Sequence, residues 1–185
     1  RELLQLDGEA TALAAYSRGQ GVVAGAENGS IRGVAVDNSW KFEFKTGFYV
    51  TALAFGQIGP ELWIGGTDHQ LRFLDLLNRK NDRTEPTRNG TCRQLVRDRD
   101  GALILGGWWR TDRVSATGAA LGPLALRSVT RMAIDSERRR LVTTDPISGL
   151  GIIDIEPKHR RTLPNGALAL SADGKRYARF DGDRI

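Results

Sequence analysis

The sequence predicts an all-β fold of repeated four-stranded antiparallel units, and three observations predict it. Similar segments recur with starts near residues 10, 50, 92, 129 and 165, which are 40, 42, 37 and 36 residues apart. Inside each recurrence, apolar residues alternate with a period of two, as they do on a half-buried strand. The chain also carries 22 glycines against 6 prolines without low complexity, a balance that suits many tight turns between short strands. No segment sustains a 3.6-residue period, so helices are expected to be few or short.

The elements follow in order. First strands are expected at Ala10–Ala15, Val50–Phe55, Cys92–Arg97, Val129–Ile134 and Asn165–Leu170. Leu53 and Phe55, Met132 and Ile134, and Leu168 and Leu170 sit two apart, so each pair shares a face. Second strands are expected at Gly21–Gly25, Glu61–Gly65, Ala102–Gly106, Arg140–Thr144 and Arg176–Arg179. Asp100-Gly101 and Asp173-Gly174 separate first from second strands, and Asn28-Gly29 separates second from third. Such dipeptides tolerate the positive φ of tight hairpins. Third strands are expected at Ser30–Val34, Gln70–Leu74 and Gly151–Ile155, and a fourth at Trp40–Phe44, where Trp40, Phe42 and Phe44 alternate with charge.

A period near 40 residues is that of a four-stranded propeller blade. The spacing from Gly25 to Ile31 equals that from Gly65 to Leu71, so Asn28 and Asp68 occupy equivalent turn positions. With Leu74-Asp75, Ile153-Asp154 and the closing stretch Leu168-Ala169-Leu170-Ser171-Ala172-Asp173-Gly174-Lys175, the chain resembles WD-repeat β-propellers over essentially its whole length. It departs from their pattern in lacking the Trp of Trp-Asp in every repeat and any Gly-His before a first strand. Leu62-Trp63-Ile64-Gly65-Gly66-Thr67 and Asp98-Arg99-Asp100-Gly101 also look like the sensor propellers of bacterial two-component regulators. Both resemblances imply a β-propeller of four-stranded antiparallel blades.

Residues 1–185 then form one propeller or propeller fragment, with four complete repeats and a partial blade split between the termini. Glu2–Leu6 followed by Asp7-Gly8 reads as an outer strand and its exit turn. Either that strand completes the last blade and closes a five-bladed ring, or both ends are cut through blades of a larger protein. The second reading is preferred, because the chain opens without Met and stops at Asp183-Arg184-Ile185 where a third strand should begin.

Composition removes several classes of function. An apolar fraction of 40% with 26% charged residues supports a buried core and excludes a disordered polyampholyte. No run of 18 apolar residues exists, and Arg1-Glu2-Leu3 shows no export signal, so a cytoplasmic protein with no membrane partner is expected. One cysteine, Cys92, permits no internal disulfide and suits a reducing compartment; it takes the place of Val50 and Val129, so a buried, unreactive thiol is expected. The two histidines, His69 in a hairpin turn and His159 in a basic loop, are too few for a His/Cys zinc site, and no cofactor is expected.

Phosphate-binding-loop, Gly-x-Ser-x-Gly and His-Glu-x-x-His motifs are all missing. Gly19-Gln20-Gly21 runs into a strand and reads as a turn. Asp135, Asp154, Asp173 and Asp181 fall at strand ends, where turn hydrogen bonding accounts for them. The net charge of +5 draws attention to Arg138-Arg139-Arg140, in a hairpin, and Lys158-His159-Arg160-Arg161, in a connection between blades. These loop classes should emerge on opposite faces, so nucleic-acid binding is kept as an alternative and not preferred.

The distinctive local feature is Trp108-Trp109-Arg110 after Gly106-Gly107. It matches Thr67-Asp68-His69 of the second repeat, between second and third strands on one rim. Aromatic residues beside an arginine are common anchors of binding surfaces, and the competing reading is that one or both tryptophans cover the core between blades. The expected function is therefore a noncatalytic scaffold or sensor propeller for protein–protein interaction, within a larger multidomain protein, using Trp108, Trp109, Arg110, Asp68 and His69. An enzyme with a central-channel site is the remaining alternative.

Overall fold

The computed structural model describes residues 4–16, 20–56, 61–76, 80–87, 90–98, 100–124, 129–135, 140–145, 149–154, 159–163, 167–170 and 177–180. Those residues are all-β, with no helix among them. The first sheet is β1 (Ala10–Tyr16), β2 (Gly21–Ala26), β3 (Ser30–Ala35) and β4 (Lys41–Lys45); the second is β5 (Val50–Phe55), β6 (Glu61–Gly66), β7 (Gln70–Asp75) and β8 (Lys80–Pro86). The third is β9 (Cys92–Arg97), β10 (Leu103–Gly107), β11 (Thr111–Val114) and β12 (Ala120–Leu124), and the fourth is β13 (Arg131–Asp135), β14 (Arg140–Asp145), β15 (Gly149–Asp154) and β16 (His159–Leu163). In all four, consecutive strands are neighbours, which makes each an antiparallel meander consistent with a propeller blade. A two-stranded sheet of β17 (Ala167–Leu170) and β18 (Tyr177–Phe180) comes last.

The chain divides into two compact units, Arg1–Leu95 and Val96–Ile185, with the boundary inside β9. In the first unit, one face of the first sheet packs on the second. Ala14, Val23, Ile31 and Phe42 meet Leu53, Phe55, Leu62, Ile64 and Leu74, with Tyr16, Trp40 and Phe44 at the margin. Tyr16 lies 4.9 Å from Phe55 and 6.0 Å from Trp40, ring centre to ring centre. Complete burial of one such aliphatic or aromatic side chain is worth about 1.5–3 kcal/mol, so this interface supplies much of the unit's stability. It also requires close approach: a Cβ on Gly25 would stand 2.5 Å from Val50 Cγ1.

Threonine hydroxyls tie the sheets at their first strands. The β1–β2 ladder slips between Ala10 and Ala12, and the β5–β6 ladder slips between Val50 and Ala52. Each slip is a bulge that leaves a threonine out of register, free to turn its side chain along the sheet edge. The Thr11 hydroxyl reaches the carbonyl of Gly25, at 3.2 Å, and that of Val50, at 2.5 Å. The Thr51 hydroxyl likewise reaches the carbonyls of Gly65, at 3.3 Å, and of Cys92. Each threonine therefore joins its own second strand to the start of the next repeat's first strand. Position 93, the third-repeat equivalent, is arginine.

The turns follow their residue chemistry. Asn28 accepts the Ser30 amide at 2.9 Å, and Gly29 takes φ +82°, where a Cβ would stand 2.5 Å from the Thr46 carbonyl oxygen. Only glycine fits that geometry without strain. In the second repeat His69 adopts φ +61° at the matching place.

In the second unit, Ile104, Leu124, Val129 and Leu141 form a buried cluster bordered by Val96, Met132 and Ile134. The Val129 amide donates to the Gly107 carbonyl at 3.2 Å, and the Thr130 hydroxyl repeats the threonine motif on the Thr144 carbonyl at 3.0 Å.

Three expectations change. Leu4–Leu6 form no strand; the Gln5 carbonyl instead accepts the Arg32 guanidinium at 2.6 Å, so the segment is held by a side chain and not by a ladder. His159, Arg160 and Arg161 belong to β16, paired with β15, and not to a loop. The fourth and fifth first strands begin at Arg131 and Ala167, two residues later than their recurrences. Asp173 and Asp181, and most of Arg138-Arg139-Arg140, lie outside the described residues.

Candidate functional site

The turn between β10 and β11 carries the feature that the sequence singled out. Gly106 and Gly107 end β10 in the buried interior, where a Cβ on Gly106 would stand 2.9 Å from the Met132 methyl. The chain then turns outward through Trp108 and Trp109 and re-enters at Arg110, where the Gly107 amide bonds the Arg110 carbonyl at 3.2 Å. Trp109 is 79% exposed and Trp108 46% exposed. Trp109 thus stands in water, whereas Trp108 keeps about half of its surface against the protein. Large indoles held in water expose apolar area that the fold does not use.

Arg110 does not stand as a free cation. Its Nε donates to both carboxylate oxygens of Asp112, at 2.8 and 2.9 Å, and its Nη2 donates to Oδ1 as well. Asp112 is buried at the second position of β11, which aims its carboxylate at the base of the turn. The hydrogen bonds that the guanidinium donates to Asp112 hold its pKa above its ordinary value. The fork is thus closed in a bidentate pair, and the tip presents two indoles over a neutralised charge.

A second ion pair braces the same sheet from its other end. Asp98, 0% exposed at the side chain, takes the Arg113 Nη2 at 2.8 Å, and Asp100 lies 3.6 Å from the same nitrogen. Arg113 follows Asp112 on β11, so adjacent residues of one strand serve two pairs. Asp98, Asp112 and Arg113 were missed by sequence reasoning. The signal available was the run Asp112-Arg113 set against Asp98 and Arg110, alternating charges on neighbouring strands, but their burial is not legible without the register.

Asp68 and His69 occupy the β6–β7 turn, the equivalent position in the second sheet. Asp68 pairs with Arg72, whose guanidinium lies 4.1 Å above the Phe48 ring. His69 is exposed, and its carbonyl accepts the Thr87 amide at 2.8 Å. These residues belong to the first unit and Trp108–Arg110 to the second. Asp68 therefore serves a local pair and His69 a turn.

Cys92 is fully buried, and burial pushes its thiol up to about 12. Among the described residues no group of three His, Cys, Asp or Glu side chains is placed to hold a metal ion, and no helix is long and apolar enough to cross a membrane. A cleft of about 490 Å³ on the first sheet is lined by Leu4, Leu6, Gly8, Ala10, Leu13, Val22 and Ala24, none of them titratable.

No protein-family model and no curated protein matches the sequence. Among solved structures, the hydrazine synthase of Kuenenia stuttgartiensis is similar with a TM-score of 0.77 over 94% of this chain at 13% identity. This chain spans 56% of that one. With 1312 solved chains matching and identity this low, the likeness describes a widely shared all-β architecture and not an activity.

Proposed function

We propose that the chain is a noncatalytic β-propeller module, of the general kind of WD-repeat and sensor propellers, that works in the cytoplasm and recognises a protein partner through its β10–β11 tip. The single observation that carries this reading is the exposure of Trp108 and Trp109 on a braced turn. Protein-binding hot spots favour tryptophan because one rigid side chain buries a large area at small entropic cost. Bracing matters as well: Arg110 bound to Asp112 presents the indoles without first having to order the turn. Because that guanidinium is already neutralised, contact rests on the indole faces, and affinity should change little between low and physiological salt.

The test is a pair of alanine substitutions, Trp108→Ala and Trp109→Ala, compared with the unaltered protein in quantitative affinity capture and in thermal unfolding. Loss of a specifically captured protein with the melting temperature unchanged is the expected result. Unchanged capture, or a melting temperature that collapses with the substitutions, refutes the reading.

A further inference from the structure

The β10–β11 turn is not a copy of its counterparts. Thr111 stands five positions after its ladder partner Gly106, whereas Ile31 and Leu71 stand six after Gly25 and Gly65. The two longer turns each use a left-handed residue, Gly29 at φ +82° and His69 at φ +61°, and the shorter one has none. Their side chains differ as well. Glu27 and Asn28 occupy the first of the longer turns and Asp68 and His69 the second, so both carry hydrogen-bond acceptors. Trp108, Trp109 and Arg110 carry none, because an indole N–H and a guanidinium are donors only.

The carboxylate beside them is already occupied. Both oxygens of Asp112 accept from Arg110 Nε, Oδ1 accepts from Nη2 too, and only 11% of that side chain is exposed. Arg110 Nη1 has no part in the pair, and the side chain is 39% exposed, so its two N–H groups can serve a ligand. Trp109, the more exposed indole, adds the N–H of Nε1 and an apolar ring face. The tip therefore combines apolar surface with hydrogen-bond donors, and its side chains offer no unpaired acceptor.

Few peptide segments complement such a surface. An extended strand must have its N–H groups accepted, and a helix satisfies its backbone groups internally. A proline-rich segment is apolar, has carbonyls without matching N–H groups, and holds an extended left-handed helix in which those carbonyls have no internal partner. It offers acceptors where the tip offers donors. Both sides are ordered in advance, the segment by its rings and the tip by the Arg110–Asp112 brace, so little freedom is lost on contact.

We propose that the β10–β11 tip binds a proline-rich segment of its protein partner in the polyproline II conformation. Trp109 stacks on proline rings, while Arg110 Nη1 and Trp109 Nε1 donate to the segment's carbonyls. This rests on the reading of the tip as a protein-binding site and names the chemistry of what it binds. A net charge of +5 draws acidic segments toward the protein as a whole, but a tip whose ion pair is closed does not select them.

The test titrates the 185-residue protein against labelled peptides, read by fluorescence anisotropy. The probe is a polyproline peptide of about ten residues with blocked ends, which spans about 30 Å; glycine-serine and glutamate-rich peptides of equal length are the comparisons. Polyproline should bind saturably, at least about tenfold tighter than either comparison and with little change between low and physiological salt. Trp109→Ala should weaken it at least about tenfold, and Trp109→Phe, which keeps a ring and loses the N–H, should fall between. No saturable polyproline binding, a preference for the glutamate peptide, or binding that Trp109→Ala leaves intact overturns the proposal. Absent polyproline binding while protein capture still depends on the tryptophans overturns the proline assignment alone; capture indifferent to the tryptophans overturns the reading beneath it.

Discussion

Replacing Thr51 by valine removes one hydroxyl and little else, because valine keeps the β-branched shape suited to a strand. Thr51 Oγ1 faces two carbonyls, Gly65 at 3.3 Å and Cys92 closer. A hydroxyl has one hydrogen, so it donates to one carbonyl at a time, and the nearer Cys92 carbonyl is the principal acceptor. One such bond is worth about 0.5–1.5 kcal/mol net, and leaving the part-buried acceptor unpaired raises the cost, so about 1–2 kcal/mol is expected. For a chain of this size that corresponds to a fall of roughly 2–8 °C in melting temperature. Urea unfolding should show a lower midpoint with an unchanged slope. Thr51→Ser, which keeps the hydroxyl, should recover most of the loss. A cost below about 0.3 kcal/mol for valine, or serine no better than valine, would refute the claim that this hydroxyl ties successive repeats.

Other outcomes follow from the same geometry. Gly25→Ala drives a methyl to 2.5 Å from Val50 Cγ1 and should cost about 1–3 kcal/mol in the same urea assay. Iodide should quench the fluorescence of Trp108 and Trp109 and spare fully buried Trp63, so Trp108→Ala with Trp109→Ala should abolish most of the quenchable emission. The Cys92 thiol, raised from 9.0 to about 12, binds its proton more tightly folded than unfolded. Its contribution is complete below pH 9 and is lost as pH rises toward 12, at up to about 1.4 kcal/mol per pH unit. Cys92→Ala should flatten that alkaline decline in pH-dependent unfolding, and an unchanged slope would refute the assignment.

Much of the architecture was legible because the repeat is written in both apolar alternation and turn chemistry. β1, β5 and β9 begin at Ala10, Val50 and Cys92, the residues at which the recurrences begin. Fourth strands were harder to read. β8 is Lys-Asn-Asp-Arg-Thr-Glu-Pro, polar throughout, and β12 contains Gly122 and Pro123. Both are edge strands, where one side of the ladder needs no partner and proline is tolerated. Arg161 and His159 suggested a loop by charge, but pairing with β15 overrides composition at a sheet edge.

The site was legible in one respect and not in another. Two tryptophans after Gly106-Gly107 marked the β10–β11 turn, yet adjacent indoles can cap a core as easily as face water, and only the fold decides that. Arg110 looked like an anchor in its own right; its bond to Asp112 makes it a brace. The threonine ties escaped notice because Thr11 and Thr51 look like ordinary strand residues, and a bulge is what turns their hydroxyls toward the next repeat.

The central claim is that Trp108 and Trp109 form a contact surface and not part of the structural framework. Oxidative footprinting of the two indoles, in the isolated protein and in complex with the captured partner, tests it directly. Rapid oxidation of both in the isolated protein and strong protection of Trp109 in the complex is the predicted result; equal oxidation of Trp109 in the two states would contradict it.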